Sequence, residues 1–134
     1  MRVYAVIDTN VIVSGIMSRN PASATVQVIG QIGRSSLVPV YNDEIMSEYV
    51  NVLHRGKFGF PERLVTDIVN RIKRYGIKRE RVSSGETFLD ASDAVFYEVA
   101  LSKEDAYLVT GNQKHFPVSP IVVTPAEMIE ILKR

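Results

Sequence analysis

Apolar runs of strand length and apolar stripes of helical period take turns along this chain. Residues 3–7 (Val-Tyr-Ala-Val-Ile) form a continuous apolar run closed by Asp8. That is the pattern of a strand buried on both faces. Residues 11–17 and 23–32 read as helix, with a break near Asn20-Pro21. Residues 37–41 predict a second short strand. Asn42 is placed to cap the next helix, with Asp43 and Glu44 favourable in its first turn. That helix runs to about residue 55. Residues 56–60 read as a loop, and Pro61 suits the first position of another helix. Leu64, Val65, Ile68, Val69, Ile72 and Tyr75 then form one stripe, at roughly 100° per residue, and Gly76 ends it. Residues 77–84 are poorly patterned and hold at most a weak strand. Residues 92–102 are apolar almost all round, which predicts a buried helix. Residues 106–110 and 121–124 are the last strands. Thr124-Pro125-Ala126-Glu127 is a capping box that opens a helix ending near residue 133.

Strands alternating with helices predict an α/β layer fold around a mostly parallel sheet of four or five strands. The length, 134 residues, suits a single domain spanning residues 1–134. A net charge of +1 means that any nucleic-acid binding must use local patches. The chain has no cysteine, which excludes disulfides and thiolate metal sites, and its two histidines are too few for a histidine cage. A bound metal would be held by oxygen, which favours magnesium, manganese or calcium over zinc. No signal-peptide pattern and no membrane-spanning apolar stretch appear. The expectation is a soluble, cytoplasmic protein that does not engage membranes.

The acids carry the chemistry. Ligands of open α/β sheets bind beyond the carboxyl ends of the strands, and Asp8 sits at such an end. A turn or capping role is its plainer reading. Glu48 falls at the edge of the buried face made by Ile45, Tyr49, Val52 and Leu53, so it is half-sheltered. Asp93 sits in the first turn of the buried helix, where an acid also suits the helix dipole. Asp90 can cap the same helix, and two acids that close repel one another unless a cation or proton intervenes. Thr110-Gly111-Asn112 follows a strand as Asp8 does, and it reads equally well as a turn. No one of these is decisive. Together they would gather oxygen ligands at one edge of a parallel sheet.

As a set, these residues resemble the PIN-domain ribonuclease family, and within it the VapC-like toxins of toxin–antitoxin modules. The resemblance covers nearly the whole chain. It rests on Asp8-Thr9-Asn10-Val11 with Ser14 downstream, Glu48 in Ser47-Glu48-Tyr49, and Asp93 in Asp90-Ala91-Ser92-Asp93-Ala94. Its last element is Ala106-Tyr107-Leu108-Val109-Thr110, running into Gly111-Asn112-Gln113-Lys114-His115-Phe116. Asn112 stands where the family usually has an aspartate, so the site would carry three charges rather than four. Asp90 is the possible additional acid. The resemblance implies a three-layer α/β/α PIN-like fold and hydrolysis of RNA assisted by Mg2+ or Mn2+. Asp8, Glu48 and Asp93 would be the catalytic and metal-holding residues, with Asn10, Ser14, Thr110 and Asn112 as orienting groups. It further implies a cognate antitoxin that covers the acidic groove, and a homodimer.

An acid cluster repels phosphate, so an RNA substrate needs cations nearby. Lys114 and His115 adjoin Asn112. Arg71, Lys73, Arg74, Lys78, Arg79 and Arg81 form the densest basic segment. They read either as a solvated face or as an RNA funnel in which Arg74 takes part. Other α/β enzymes fit less well. The chain has no glycine-rich turn after the first strand and no phosphate-cradling loop. Asn10 occupies the place where a haloacid-dehalogenase-like phosphatase needs a second aspartate. The paired acids of a phospho-acceptor receiver domain are missing too. The main alternative from another class is a non-catalytic module that keeps the fold and binds RNA or an antitoxin.

Overall fold

The computed structural model describes residues 1–34 and 36–134. Its centre is a five-stranded sheet of β1 (Val3–Ile7), β2 (Leu37–Tyr41), β3 (Ile77–Lys78), β4 (Tyr107–Val109) and β5 (Val122–Val123). The spatial order is β3-β2-β1-β4-β5, and every pairing is parallel. The chain builds outward from β1 to β3 and then returns to the far side of β1. A topological switch point therefore lies between β1 and β4, where the carboxyl ends of neighbouring strands open a crevice.

Among the described residues, six α-helices flank the sheet: α1 (Thr9–Met17), α2 (Ala24–Gln31), α3 (Asp43–Leu53), α4 (Glu62–Tyr75), α5 (Ala91–Leu101) and α6 (Pro125–Leu132). Helix α2 packs on α1 and α6, while α3 packs on α4 and α5, which completes an α/β/α arrangement. The β1 residues Ala5, Val6 and Ile7 are fully buried, as their unbroken apolar run requires. Helix α5 lies on β1, β2 and β4 and buries Val95, Phe96, Tyr97, Val99 and Ala100.

Local chemistry sets the helix ends. The Asn42 side chain accepts from the Ile45 amide at 2.8 Å and starts α3. Thr124 accepts from the Glu127 amide, and Glu127 accepts from the Thr124 amide, in a complete capping box. Gly76 ends α4 where the backbone turns tightly. A Cβ there would stand 2.5 Å from the Ile72 carbonyl oxygen and 2.6 Å from that of Pro39.

Several boundaries differ from the sequence reading. Pro61 sits at the cap position of α4, with ψ of 137°, rather than inside its first turn. The last strand is shorter than residues 121–124. Strand β3 is only Ile77–Lys78, because after the Arg79 amide bonds to the Tyr41 carbonyl the chain leaves the sheet. The α4 stripe is used internally: Val65, Ile68, Val69 and Ile72 are buried, and only Leu64 and Tyr75 stay partly exposed.

Candidate active site

The end of β1 delivers Asp8 into the crevice. Its amide still bonds to the Val109 carbonyl of β4 at 2.9 Å, so the residue is held in strand register. It occupies the N-cap position of α1, yet its side chain makes no capping hydrogen bond. Instead, Asp8 Oδ2 accepts from the Thr110 hydroxyl at 2.7 Å and from Asn10 Nδ2 at 3.3 Å. Thr110 is wholly buried just past β4, and its hydroxyl oxygen accepts from the Asn112 amide at 3.0 Å. Asn10 Oδ1 accepts from the Gly111 amide at 3.3 Å. The loops after β1 and β4 are thus stitched together around one carboxylate.

Helix α3 supplies the second acid. Glu48 accepts from the Thr9 hydroxyl at 2.6 Å. Its neighbour Tyr49, fully buried, donates its hydroxyl to the Ile7 carbonyl. Two adjacent side chains of α3 therefore brace the junction between β1 and α1. Helix α5 supplies the third. Asp93 is mostly sheltered, at 18% exposure, and its Oδ2 lies 3.7 Å from His115 Nδ1. Lys114 and His115 belong to a short 3-10 turn, Gln113–His115, that follows β4.

Electrostatics ties the three acids together. Burial pushes the Asp8 carboxyl up from 3.8 to about 6, and the charges of Asp93 and Glu48 push the same way against the Thr110 hydroxyl. Burial also raises Asp93, with Asp90 and Glu48 adding to the effect and His115 opposing it. The buried Tyr49 hydroxyl is pushed well above its ordinary value by desolvation, then by Asp8 and Glu48. Asp93 and Glu48 make Asp8 harder to ionise, and Glu48 and Asp90 do the same to Asp93, which is the condition that a cation relieves.

The remaining sequence candidates separate. Asp90 caps α5: its Oδ1 accepts from the Ser92 amide at 2.9 Å and the Ser92 hydroxyl at 2.8 Å. Those bonds hold its carboxyl below the usual range, so it is a structural acid beside the cluster. Ser14 lies one turn beyond Asn10 on α1 and is exposed. Asn112 is exposed, and its backbone rather than its amide group meets the cluster. Arg74 is not brought to the acids. The ring of its neighbour Tyr75 packs against Gly33, ahead of β2, and Arg71 on the same helix donates to the Ile29 and Ile32 carbonyls. The Arg74 guanidinium itself stands over the Tyr75 ring, 5.4 Å from its centroid. The rest of the basic segment is largely committed within the chain. Lys78 pairs with Asp43, Arg79 donates to the Ser102 carbonyl, and Arg81 pairs with Glu98 and Glu44.

Thr9 and Tyr49 were missed as site residues in the sequence. Thr9 stands inside the Asp8-Thr9-Asn10 tripeptide, but only the fold brings α3 across to it.

The donors at this edge are all oxygen and carry concentrated negative charge, which suits a hard divalent cation. Among the described residues, no group of three His, Asp or Glu side chains stands ready to hold a metal ion. A cation at this edge would compete with Thr9 for Glu48 and with His115 for Asp93.

The structure is thus a parallel α/β domain with a buried acid beside its switch point. The sequence model of the PIN domain matches residues 4–114, and the chain belongs to the PIN-domain family. PIN domains are generally nucleases and typically use divalent metals. No curated protein and no solved structure matches the chain. Among the described residues, no helix is long and apolar enough to cross a membrane.

Proposed function

We propose that this protein is a metal-dependent endoribonuclease that hydrolyses RNA phosphodiester bonds and serves as the toxin of a toxin–antitoxin pair. The observation that carries the reading is Asp8, buried at the switch point and pushed up by its burial and by the charges of Asp93 and Glu48. Family membership gives it direction. Asp8, Glu48 and Asp93 would hold Mg2+ or Mn2+, which supplies charge neutralisation at the phosphate and an acidified water. Thr110 and Asn10 orient the Asp8 carboxylate through its Oδ2. Asp93, with its raised affinity for a proton, is suited to accept one from the attacking water. Lys114 and His115, at the mouth of the site, steady the RNA backbone. Ser14 and Asn112 line the approach as outer polar groups. A cytoplasmic location, a homodimer and an antitoxin over the acidic edge belong to the same proposal and rest on the VapC-like resemblance.

One observation favours a second reading, a non-catalytic RNA- or antitoxin-binding module. The acids do not stand as a ready ligand set, and Asn112 adds no charge. Cleavage of single-stranded RNA by the purified protein with Mg2+ or Mn2+ separates the two. Wild-type protein should cut and a chelator should stop it. Asp8→Asn should lower the rate by about 100-fold or more, beyond what loss of an outer orienting group does. Arg74→Ala should leave the rate unchanged. Absence of cleavage with either cation favours the module.

A further inference from the structure

Residues 79–90 connect β3 to α5 without joining the sheet, and α5 itself clasps them. Glu98 Oε2 accepts from the Ser84 amide and the Ser84 hydroxyl, each at 2.9 Å. Glu98 Oε1 accepts from Arg81 Nε at 2.8 Å and Nη2 at 2.6 Å. The Glu98 side chain is only 12% exposed, so these are sheltered, charge-assisted bonds. The Val82 amide adds a bond to the Glu98 carbonyl at 3.3 Å. The clasp makes the end of this strap a preformed wall. Residues 86–90 line one side of a groove of about 330 Å³, residues 114–117 line the other, and Asp93 opens into it.

The groove has two chemistries. Phe88 and Phe116 meet edge to face at 6.3 Å, and Leu89 beside them is fully exposed. Glu86, Asp90 and Asp93 make the interior unfavourable for a phosphate. Asp90 is already engaged by Ser92, whereas the Glu86 carboxylate has no hydrogen-bond partner among the described residues. Lys114, at the rim, makes no ion pair among the described residues and offers a place where an anion is welcome. An apolar wall with a carboxylate acceptor suits a flat, neutral group bearing N–H donors. A nucleobase has that character.

We propose that this groove receives the base of the nucleotide next to the cleaved phosphodiester, with Phe88 and Leu89 against its face, Glu86 accepting from its amino edge and Lys114 on its phosphate. The proposal rests on the ribonuclease reading and names the subsite that gives that reaction sequence preference. It favours bases with an exocyclic amino group over uracil, because an ionised carboxylate only accepts hydrogen bonds and the single N–H on uracil's pairing edge lies between two carbonyl oxygens that repel it.

Amide chemical shifts of the intact protein, titrated without metal, test it directly. The probes are cytidine, adenosine and uridine 5′-monophosphates, with ribose 5-phosphate and inorganic phosphate as baseless controls. Cytidine and adenosine monophosphates should shift the amides of residues 86–90 and 113–117 and bind more tightly than uridine monophosphate or the controls. Leu89→Ser, at a fully exposed position that leaves the core untouched, should weaken nucleotide binding about tenfold, within the range that one base contact contributes. Glu86→Gln should erase the preference over uridine while keeping the base contact. Nucleotides that bind no better than ribose 5-phosphate would overturn the proposal. So would shifts at these amides caused by a basic peptide and not by nucleotides. Base binding in a protein that cleaves nothing would support the subsite and overturn only the nuclease reading.

Discussion

Two helix entrances in this molecule each place an acid, and they put it to opposite uses. At α6, Glu127 closes a capping box with Thr124, and the Thr124 amide and hydroxyl hold its carboxyl below the ordinary range. At α1, Asp8 occupies the cap position, makes no capping bond, and is pushed up to about 6. The first acid is exposed and serves the fold. The second is only 7% exposed, shares its surroundings with Asp93 and Glu48, and works against the fold. Local sequence is similar in kind at both places. What differs is burial and company, and both are set by the tertiary structure. An acid kept where it destabilises the chain is better explained by a ligand than by folding.

The largest effect should come from Asp8→Asn. An acid whose pKa is raised on folding lowers stability as pH climbs from its unfolded value toward its folded one. Here that window runs from 3.8 to about 6. Below it both states are protonated and nothing is lost; above it the full penalty applies. A shift of about two units corresponds to about 3 kcal/mol, with the lowering effect of the Thr110 bond already inside that net figure, and an asparagine amide is an imperfect stand-in for the protonated acid, which trims the gain. Metal-free Asp8→Asn should therefore exceed wild type by about 2 kcal/mol at pH 7.5, and the two should converge near pH 4, as measured by denaturant unfolding. Equal stability at pH 7.5 would break the contrast with α6.

A smaller effect of opposite sign should follow at the other entrance. Thr124→Ala removes the hydroxyl that accepts from the Glu127 amide and should cost about 1 kcal/mol. Unfolding measurements should show that loss, and RNA cleavage by the folded variant should match wild type.

Much of the fold was legible because it rests on local signals. The buried run of β1, the α4 stripe, the Asn42 cap and the Thr124 box all place their elements correctly. Residues 77–84 were legible only as a weak strand, and it proves to be Ile77–Lys78 alone, because from Arg81 onward the hydrogen bonds go to Glu98, on a later helix, rather than to β2. The basic segment read first as a solvated face and second as an RNA path, and neither reading could show that Arg71, Lys78, Arg79 and Arg81 each find partners distant in sequence. In the proposed site, Asp8, Glu48 and Asp93 stood out as acids at element ends, and the family resemblance grouped them. The Thr9 bond to Glu48 and the Tyr49 brace on Ile7 span about 40 residues and depend on helix packing that no periodicity reveals.

The central claim is that Asp8, Glu48 and Asp93 form a cation site whose repulsion a divalent ion relieves. Calorimetric titration of Mn2+ at pH 6 into wild type and Asp8→Asn tests it most directly. Wild type should bind with release of protons from the raised carboxyls, and Asp8→Asn should lose both the binding and the proton release. Equal Mn2+ affinity in the two proteins, or binding without proton release, would contradict the account.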